Sequence, residues 1–259
     1  MLARRFFHAC IWTTAMTTMM FYKKLVPINR EVHRDLRLKP FADGFKFAAT
    51  ENALPIAPVE FAQACIEYPI VFALDENGKN GSTICLTGFR DKENVFVAED
   101  GKWDGDYIPA FVRRYPFVLH EQDNDNFYVL IDEECPGYNA ADGDRLFDEE
   151  GKETPMFADF VRFLDFFKGQ GTAARDFVSR LVELDLLVPQ SITAQTSQGE
   201  MSLSGFHIVD EKKLVALDDA TVRELFRGGH LALIYAHLAS LGNVAKLLRR
   251  LEPRLAKAA

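Results

Sequence analysis

The stretch GKETPMFADFVRFLDFFKGQGTAARDFVSRLVELD, residues 151–185, is where the hydrophobic period of this chain changes. Thr154-Pro155 is a helix start signal, because proline is tolerated in the first turn, where its missing N–H has no partner to lose. Phe157, Phe160, Leu164 and Phe167 then recur at helical spacing. Gly169-Gln170-Gly171 reads as the end of that helix, Thr172 as the cap of another, and Phe177, Val178, Leu181, Val182 and Leu184 as the second helix's apolar face.

Upstream, the runs are short and strand-like. LVPIN (25–29) and the alternating HRDLRLKP (33–40) read as strands, and PVEFAQACIE (58–67) as a short helix. YPIVFAL (68–74) and TICLTGF (83–89) flank the turn-rich DENGKNGS (75–82), which predicts a hairpin. NVFVAED (94–100) reads as the next strand, and residues 117–134 as a second hairpin around DNDN. A loop rich in Gly and Asp, 135–154, separates these from the helical part.

Downstream, 190–196 and 201–209 predict a small hairpin, Asp218 or Asp219 caps a helix, and Gly228-Gly229 breaks it. HLALIYAHLASLGNVAKLLRRLE (230–252) reads as one helix with an apolar stripe of Leu231, Ile234, Leu238, Leu241, Leu248 and Leu251. The expected class is α+β: a strand-rich amino-terminal half with antiparallel hairpins and a mainly helical carboxy-terminal half. Residues 1–19 read as an unstructured extension or an upstream start, 20–150 as the strand-rich part and 151–259 as the helical part of one compact unit.

Composition narrows the function classes. The chain of 259 residues is 48% hydrophobic and 26% charged, ordinary for a globular protein with a sizeable core, and its 22 Phe point to aromatic packing. A net charge of −8 with only short basic pairs (Arg113/Arg114, Arg249/Arg250) argues against nucleic acid as a partner, since phosphate backbones need a basic face. Cys10, Cys65, Cys85 and Cys135 form no C-x-x-C pair, which argues against a zinc knuckle or thioredoxin-type site and leaves disulfide pairing open. Cys65 and Cys85 read as small buried hydrophobes. The first twenty residues imitate a secretory signal poorly, because His8 and four threonines interrupt the apolar part. A cytoplasmic location is therefore expected, with the cell surface by non-classical export as the alternative. No run is expected to reach the apolar length of a transmembrane span.

Candidate chemistry is sparse. His33-Arg34-Asp35 has the H-x-D spacing of a two-His-one-carboxylate iron(II) site, provided that a strand points His33 and Asp35 the same way and that His120, His207 or His230 supplies the third ligand. The bland reading is an exposed polar strand edge. Two carboxylate clusters (Glu99, Asp100, Asp104, Asp106 and Asp142, Asp144, Asp148, Glu149, Glu150) are calcium candidates, but neither fits an EF-hand loop, and turns favour Asp for their own hydrogen bonds. G-x-S-x-G, G-x-G-x-x-G and Walker A patterns are absent. His230 and His237 lie two turns apart on one helix face, too far to share a metal directly, so packing is the expected role.

The segment GKWDGDYIPAFVRRYPF (101–117) concentrates aromatics. Asp106 reads as the N-cap of a two-turn helix with Tyr107, Ile108, Phe111, Val112 and Tyr115 on its apolar face. Arg113 and Arg114 then sit opposite that face, free to pair with Asp104 or Asp106. Trp103, Asp104, Asp106, Tyr107, Arg113 and Arg114 are accordingly the candidate binding residues, set against the reading of the whole segment as a core plug.

WDGDYIPAFVRRYPF (103–117), YPIVFAL (68–74), GFHIVDEKKLVALDD (205–219) and GGHLALIYAHLASLGNVAKLL (228–248) together resemble the bacterial SapC family, and HRDLR (33–37) fits its amino-terminal end. The resemblance spans about Phe21 to Leu251. It implies a connection with a bacterial surface layer, from which the family takes its name, and it carries over no catalytic residues. Gene neighbourhoods of relatives with outer-membrane receptors and flavin-dependent halogenase-like proteins imply nutrient uptake or modification. The leading expectation is a non-enzymatic binding or assembly protein with a protein partner or envelope component, needing no cofactor. The alternatives are an iron-dependent enzyme using His33 and Asp35, and a cytoplasmic partner of a halogenase-like or uptake system.

Overall fold

The structure, a computed structural model, describes residues 20–121 and 127–257. The calls on residues 1–19, Cys10 and the DNDN tip lie outside them. In chain order the elements are β1 (Leu25–Pro27), β2 (Arg37–Leu38), β3 (Ala53–Pro55), α1 (Phe61–Ala64), β4 (Ile70–Leu74), β5 (Gly81–Leu86), α2 (Ala110–Arg113), β6 (Phe117–Glu121), β7 (Phe127–Asp132), β8 (Asp144–Arg145), α3 (Pro155–Glu183), β9 (Leu187–Thr196), β10 (Gly199–Val209), α4 (Glu211–Val215), α5 (Asp219–Arg227), α6 (His230–Ser240) and α7 (Val244–Lys257). The fold is α+β, as expected.

All strand pairing is antiparallel and forms three sheets, ordered β1-β7-β6, β3-β5-β4-β10-β9 and β2-β8. The five-stranded sheet takes three strands from the first half of the chain and two from the second. Both predicted hairpins of the first half are present, as is the later one, whose strands are longer than the apolar pattern suggests.

The decisive helix departs from its reading. α3 runs unbroken for 29 residues, straight through Gly169 and Gly171. Thr154 caps it, accepting from the Phe157 N–H at 3.4 Å. Its first half packs on the three-stranded sheet, with Phe157 and Phe160 rings 5.5 and 5.0 Å from that of Phe117. Its second half packs on the five-stranded sheet, with Phe177 6.0 Å from Phe72. Two anchored ends outweigh two glycines, each of which costs roughly 1 kcal/mol against alanine in a helix. Both glycines are exposed, and a methyl group at Gly169 meets nothing within 4 Å, while at Gly171 it meets only the Arg175 side chain at 3.7 Å. Gly169→Ala with Gly171→Ala is therefore expected to raise stability by about 1–2 kcal/mol. A urea midpoint that fails to rise would refute the account of these glycines as tolerated costs.

Three further readings are corrected. Residues 33–36 form a turn, not a strand, and only Arg37–Leu38 pair, with β8. Residues 94–97 are buried but irregular, because three of their four carbonyls are taken by one side chain: Arg254 of α7 donates to the oxygens of Asn94, Val95 and Val97 at 2.9, 2.9 and 2.8 Å. The last predicted helix is two, α6 and α7, joined by a 3-10 turn at Leu241–Asn243, where the Asn243 side chain donates to the Cys65 carbonyl at 2.7 Å.

One stretch, His230–Ala256, is long and apolar enough to cross a membrane by length and composition alone, with mean hydropathy 1.4 and 28% of its window buried. That revises the expectation that no run reaches this length. Its inner face carries Ile234, His237, Ser240, Asn243, Leu247, Leu251 and Leu255, all buried against the core. Cys65, Cys85 and Cys135 are free thiols; Cys85 and Cys135 are buried and Cys65 is partly exposed.

Candidate functional site

The aromatic segment forms a strap held by two glutamates. Glu67 accepts from the backbone N–H groups of Asp106 and Tyr107, both at 2.9 Å. Glu60, only 4% exposed, accepts from Ala57 N–H at 2.8 Å and from Ala110 N–H and the Tyr107 hydroxyl at 2.7 Å each. Burial raises the Glu60 carboxyl pKa, and these three donors with the Arg113 charge pull the other way. The Trp103 indole donates to the Tyr68 hydroxyl at 3.0 Å, and that hydroxyl donates to the Tyr107 carbonyl.

These bonds explain why the two-turn helix is only one turn. Tyr107 commits both backbone groups to side chains, and Ile108 precedes Pro109, which disfavours helical geometry. Pro109, not Asp106, is the N-cap of α2. The predicted arginine pairs also differ. Asp104 pairs with Arg250, whose guanidinium lies 4.5 Å over the Phe96 ring. Arg113 donates to the Ile108 carbonyl at 3.0 Å and covers Phe163. Arg114 turns inward over Phe111 at 3.9 Å, with Nε and Nη2 buried and unpartnered. Of the six candidate binding residues, Trp103, Asp104, Tyr107 and Arg113 are thus engaged in internal bonds, Arg114 is stacked inside, and Asp106 is exposed.

His33 and Asp35 do not share a strand face. His33 is buried, and its Nδ1 accepts from the Asn29 N–H at 2.9 Å, whereas Asp35 is exposed. The carboxylate clusters serve their own turns: Asp100 accepts from Lys102 N–H, and Asp148 from Glu150 and Lys152 N–H. Among the described residues no group of three or more His, Cys, Asp and Glu side chains is placed to hold a metal.

An open cleft lies elsewhere, at the junction of β4 and β10. These strands register directly only at Phe72 and His207. Two residues along one way, Ile70 and Val209 are joined through α6: the His237 Nδ1–H donates to the Ile70 carbonyl at 2.7 Å, and its Nε2 accepts from the Val209 N–H at 3.1 Å. Ser240 accepts from the Ile70 N–H at 2.9 Å. An imidazole and a hydroxyl thus replace ladder bonds at the centre of the sheet. His237 is fully buried, and burial pushes its pKa down to about 4, so the ring is neutral there.

Two residues the other way, the seam opens. β10 shifts register against β9 between Leu203 and Phe206, with Gly205 at a φ of 92° that side chains rarely adopt. Pro189, opposite His207, has no N–H to donate to the ladder. The result is a cleft of about 450 Å³ lined by the β4 end (Leu74, Asp75, Glu76), by Pro189–Ser191 and by Ser204–His207. By the alternation of strand amides, the Leu74 N–H and C=O point to the same side as those of Ile70, toward the cleft. The hairpin loop uses Asp75, which accepts from the Asn80 amide at 2.8 Å and is held below the usual carboxylate range chiefly by it. Glu76, Gln190, Ser191 and Ser204 make no side-chain hydrogen bond with the described residues, and His207 Nδ1 is buried without a partner. Desolvation lowers the His207 pKa, which favours the neutral ring.

Of the cleft residues the linear sequence singles out only His207, as a nominal third iron ligand, and the others carry no site signal. A glycine at 205 inside an apolar run and a proline at 189 are the two local signals of a disturbed ladder.

Fold and site define an α+β protein of antiparallel sheets with a ligand-sized cleft in its largest sheet. The chain belongs to the SapC family, whose model matches residues 28–247. No curated protein and no solved structure matches it.

Proposed function

We propose that the protein is a non-enzymatic binding or assembly protein, connected with the cell envelope or nutrient uptake, and that the seam cleft is where it takes its ligand. The observation that carries this reading is the contrast between the two polar regions. Around the strap, Glu60 and Glu67 are saturated by backbone donors, which is the work of structural carboxylates. Around the cleft, Glu76, Gln190 and Ser191 are exposed and, with the half-buried Ser204, make no side-chain bond to the described residues, beside a volume that suits a small solute. A concave site with a few convergent, unused polar groups is the usual form of a binding pocket.

The test is a thermal-shift and calorimetry screen of small sugars, amino acids, amines and carboxylates. A ligand that raises Tm in the native protein and loses that effect in Ser204→Val is the expected result. Absence of any such ligand sinks the cleft as the binding site.

A further inference from the structure

An edge strand leaves half of its backbone N–H and C=O groups without a sheet partner, and proteins blunt such edges with short strands, prolines or charges. Among the described residues most sheet edges here are blunted in those ways. β1 and β3 are three residues long and end in Pro27 and Pro55. β2 and β8 are two residues each and carry Arg37, Asp144 and Arg145. β6 ends on His120 and Glu121. β9 is different: it is a ten-residue strand at the edge of the five-stranded sheet. From Leu187 to Gly199 there is no Asp, Glu, Lys or Arg, in a chain that is 26% charged. Pro189 blunts only one end of it.

The hydrogen-bonded turn at Ser197-Gln198 joins Thr196 to Gly199, so the backbone of Thr196 bonds toward β10. By the alternation of strand amides Ala194 and Ile192 do the same, and the N–H and C=O groups of Ser191, Thr193 and Gln195 point out of the sheet. No backbone bond from another element of the described residues meets them. The side chains of these three are exposed on one face, whereas Ile192 and Ala194 pack against the core on the other. We propose that β9 pairs with β9 of a second copy of this chain, antiparallel about a two-fold axis at Thr193. In that register Thr193 faces the partner's Thr193, Ser191 faces the partner's Gln195, and Ile192 faces the partner's Ala194. Polar side chains thus meet on the solvent face and apolar ones on the core face, and the outward backbone groups of five residues find partners. A two-fold axis sets each central residue against its own copy, so a charge there repels itself, and a strand free of charge is what self-pairing requires. Nothing on β9 selects a foreign peptide by charge. Both outer edges of the joined sheet are then β3, short and ended by Pro55, so assembly stops at two copies.

Sedimentation velocity over a concentration series of the full chain tests the proposal, and it reads the oligomeric state separately from the ligand screen above. The expected native particle has twice the 29.3 kDa chain mass at high concentration. Hydrogen exchange at the Ser191, Thr193 and Gln195 amides should slow by about tenfold or more as the dimer forms. Thr193→Lys and Thr193→Glu each place a charge on the axis and should give monomers with unchanged circular dichroism spectra. An equimolar mixture of the two should recover the dimer, because opposite charges then face each other. Ala173→Lys, on the exposed side of α3, should leave the dimer intact. A native protein that stays monomeric with those three amides exchanging freely overturns the proposal. So does a dimer that persists in both Thr193 variants, or one lost equally in Ala173→Lys. A mixture of the two Thr193 variants that stays monomeric, or native assemblies larger than two copies, overturns the two-fold register at Thr193.

Discussion

His237→Ala is expected to destabilise the protein by about 4 kcal/mol, because it leaves the Ile70 carbonyl and the Val209 N–H buried without partners and opens a cavity beside Phe72. The imidazole lies 4.7 Å from the Phe72 ring and is the only bridge at that point between β4 and β10 among the described residues. Urea unfolding measures the loss directly. A cost below about 1 kcal/mol would show that the two strands can pair without the ring.

The same residue sets a pH dependence whose sign is fixed. Its pKa in the folded protein is about 4, against 6.5 when the chain is unfolded. Between those values the unfolded state binds a proton that the folded state refuses, so stability is complete above about pH 6.5 and declines as the pH falls toward 4. The difference corresponds to about 3 kcal/mol. Glu60 acts in the opposite sense: its pKa is raised above 4.5 by burial, so acidification relieves the cost of a buried anion. The His237 contribution is therefore read as the slope that the native protein shows and a His237→Gln variant lacks between pH 7 and pH 4.5. Parallel slopes in the two proteins would refute it.

The second large effect is at Glu60. Glu60→Ala strands the Ala57 and Ala110 N–H groups and the Tyr107 hydroxyl, and both alanines are nearly inaccessible to water. Three lost bonds of this kind amount to about 4–5 kcal/mol, or a Tm fall of roughly 10–15 °C for a chain of this size. Glu60→Gln is expected to cost about 1–3 kcal/mol, since the amide oxygen keeps two donors while its NH2 group confronts the Ala57 N–H. Trp103 reports the strap, because its indole is bonded to Tyr68, which in turn holds Tyr107. An unchanged Tm together with unchanged tryptophan emission in Glu60→Ala would show that Glu67 and Tyr68 hold the strap without Glu60.

These two residues mark where the sequence stops speaking. Glu60 lies in PVEFAQACIE, correctly read as a short helix, yet its partners Tyr107 and Ala110 are 47 and 50 residues away. His237 is correctly read as a packing residue, but its bonds reach back 167 residues to Ile70. Residues 94–97 have the apolar look of a strand and are not one, because Arg254 competes for their carbonyls. Trp103, Tyr107 and Arg113 caught attention for their chemistry, and the structure spends that chemistry on the strap. At Ile108-Pro109 the local proline effect, not the helical periodicity of residues 107–115, decides the backbone.

The sequence by itself determined what short-range physics can decide: the hairpin turn at 75–82, the helix starts at Thr154-Pro155 and at Asp218 or Asp219, the α+β class and the family. Those signals depend on turn geometry, capping bonds and periodicity within a few residues. Only the tertiary structure decided that β4 and β10 meet at a single registered pair, with His237 splicing one side of it and a cleft opening on the other. Strand neighbours separated by more than a hundred residues are selected by the packing of the whole core, and no local pattern encodes which strand lies next to which.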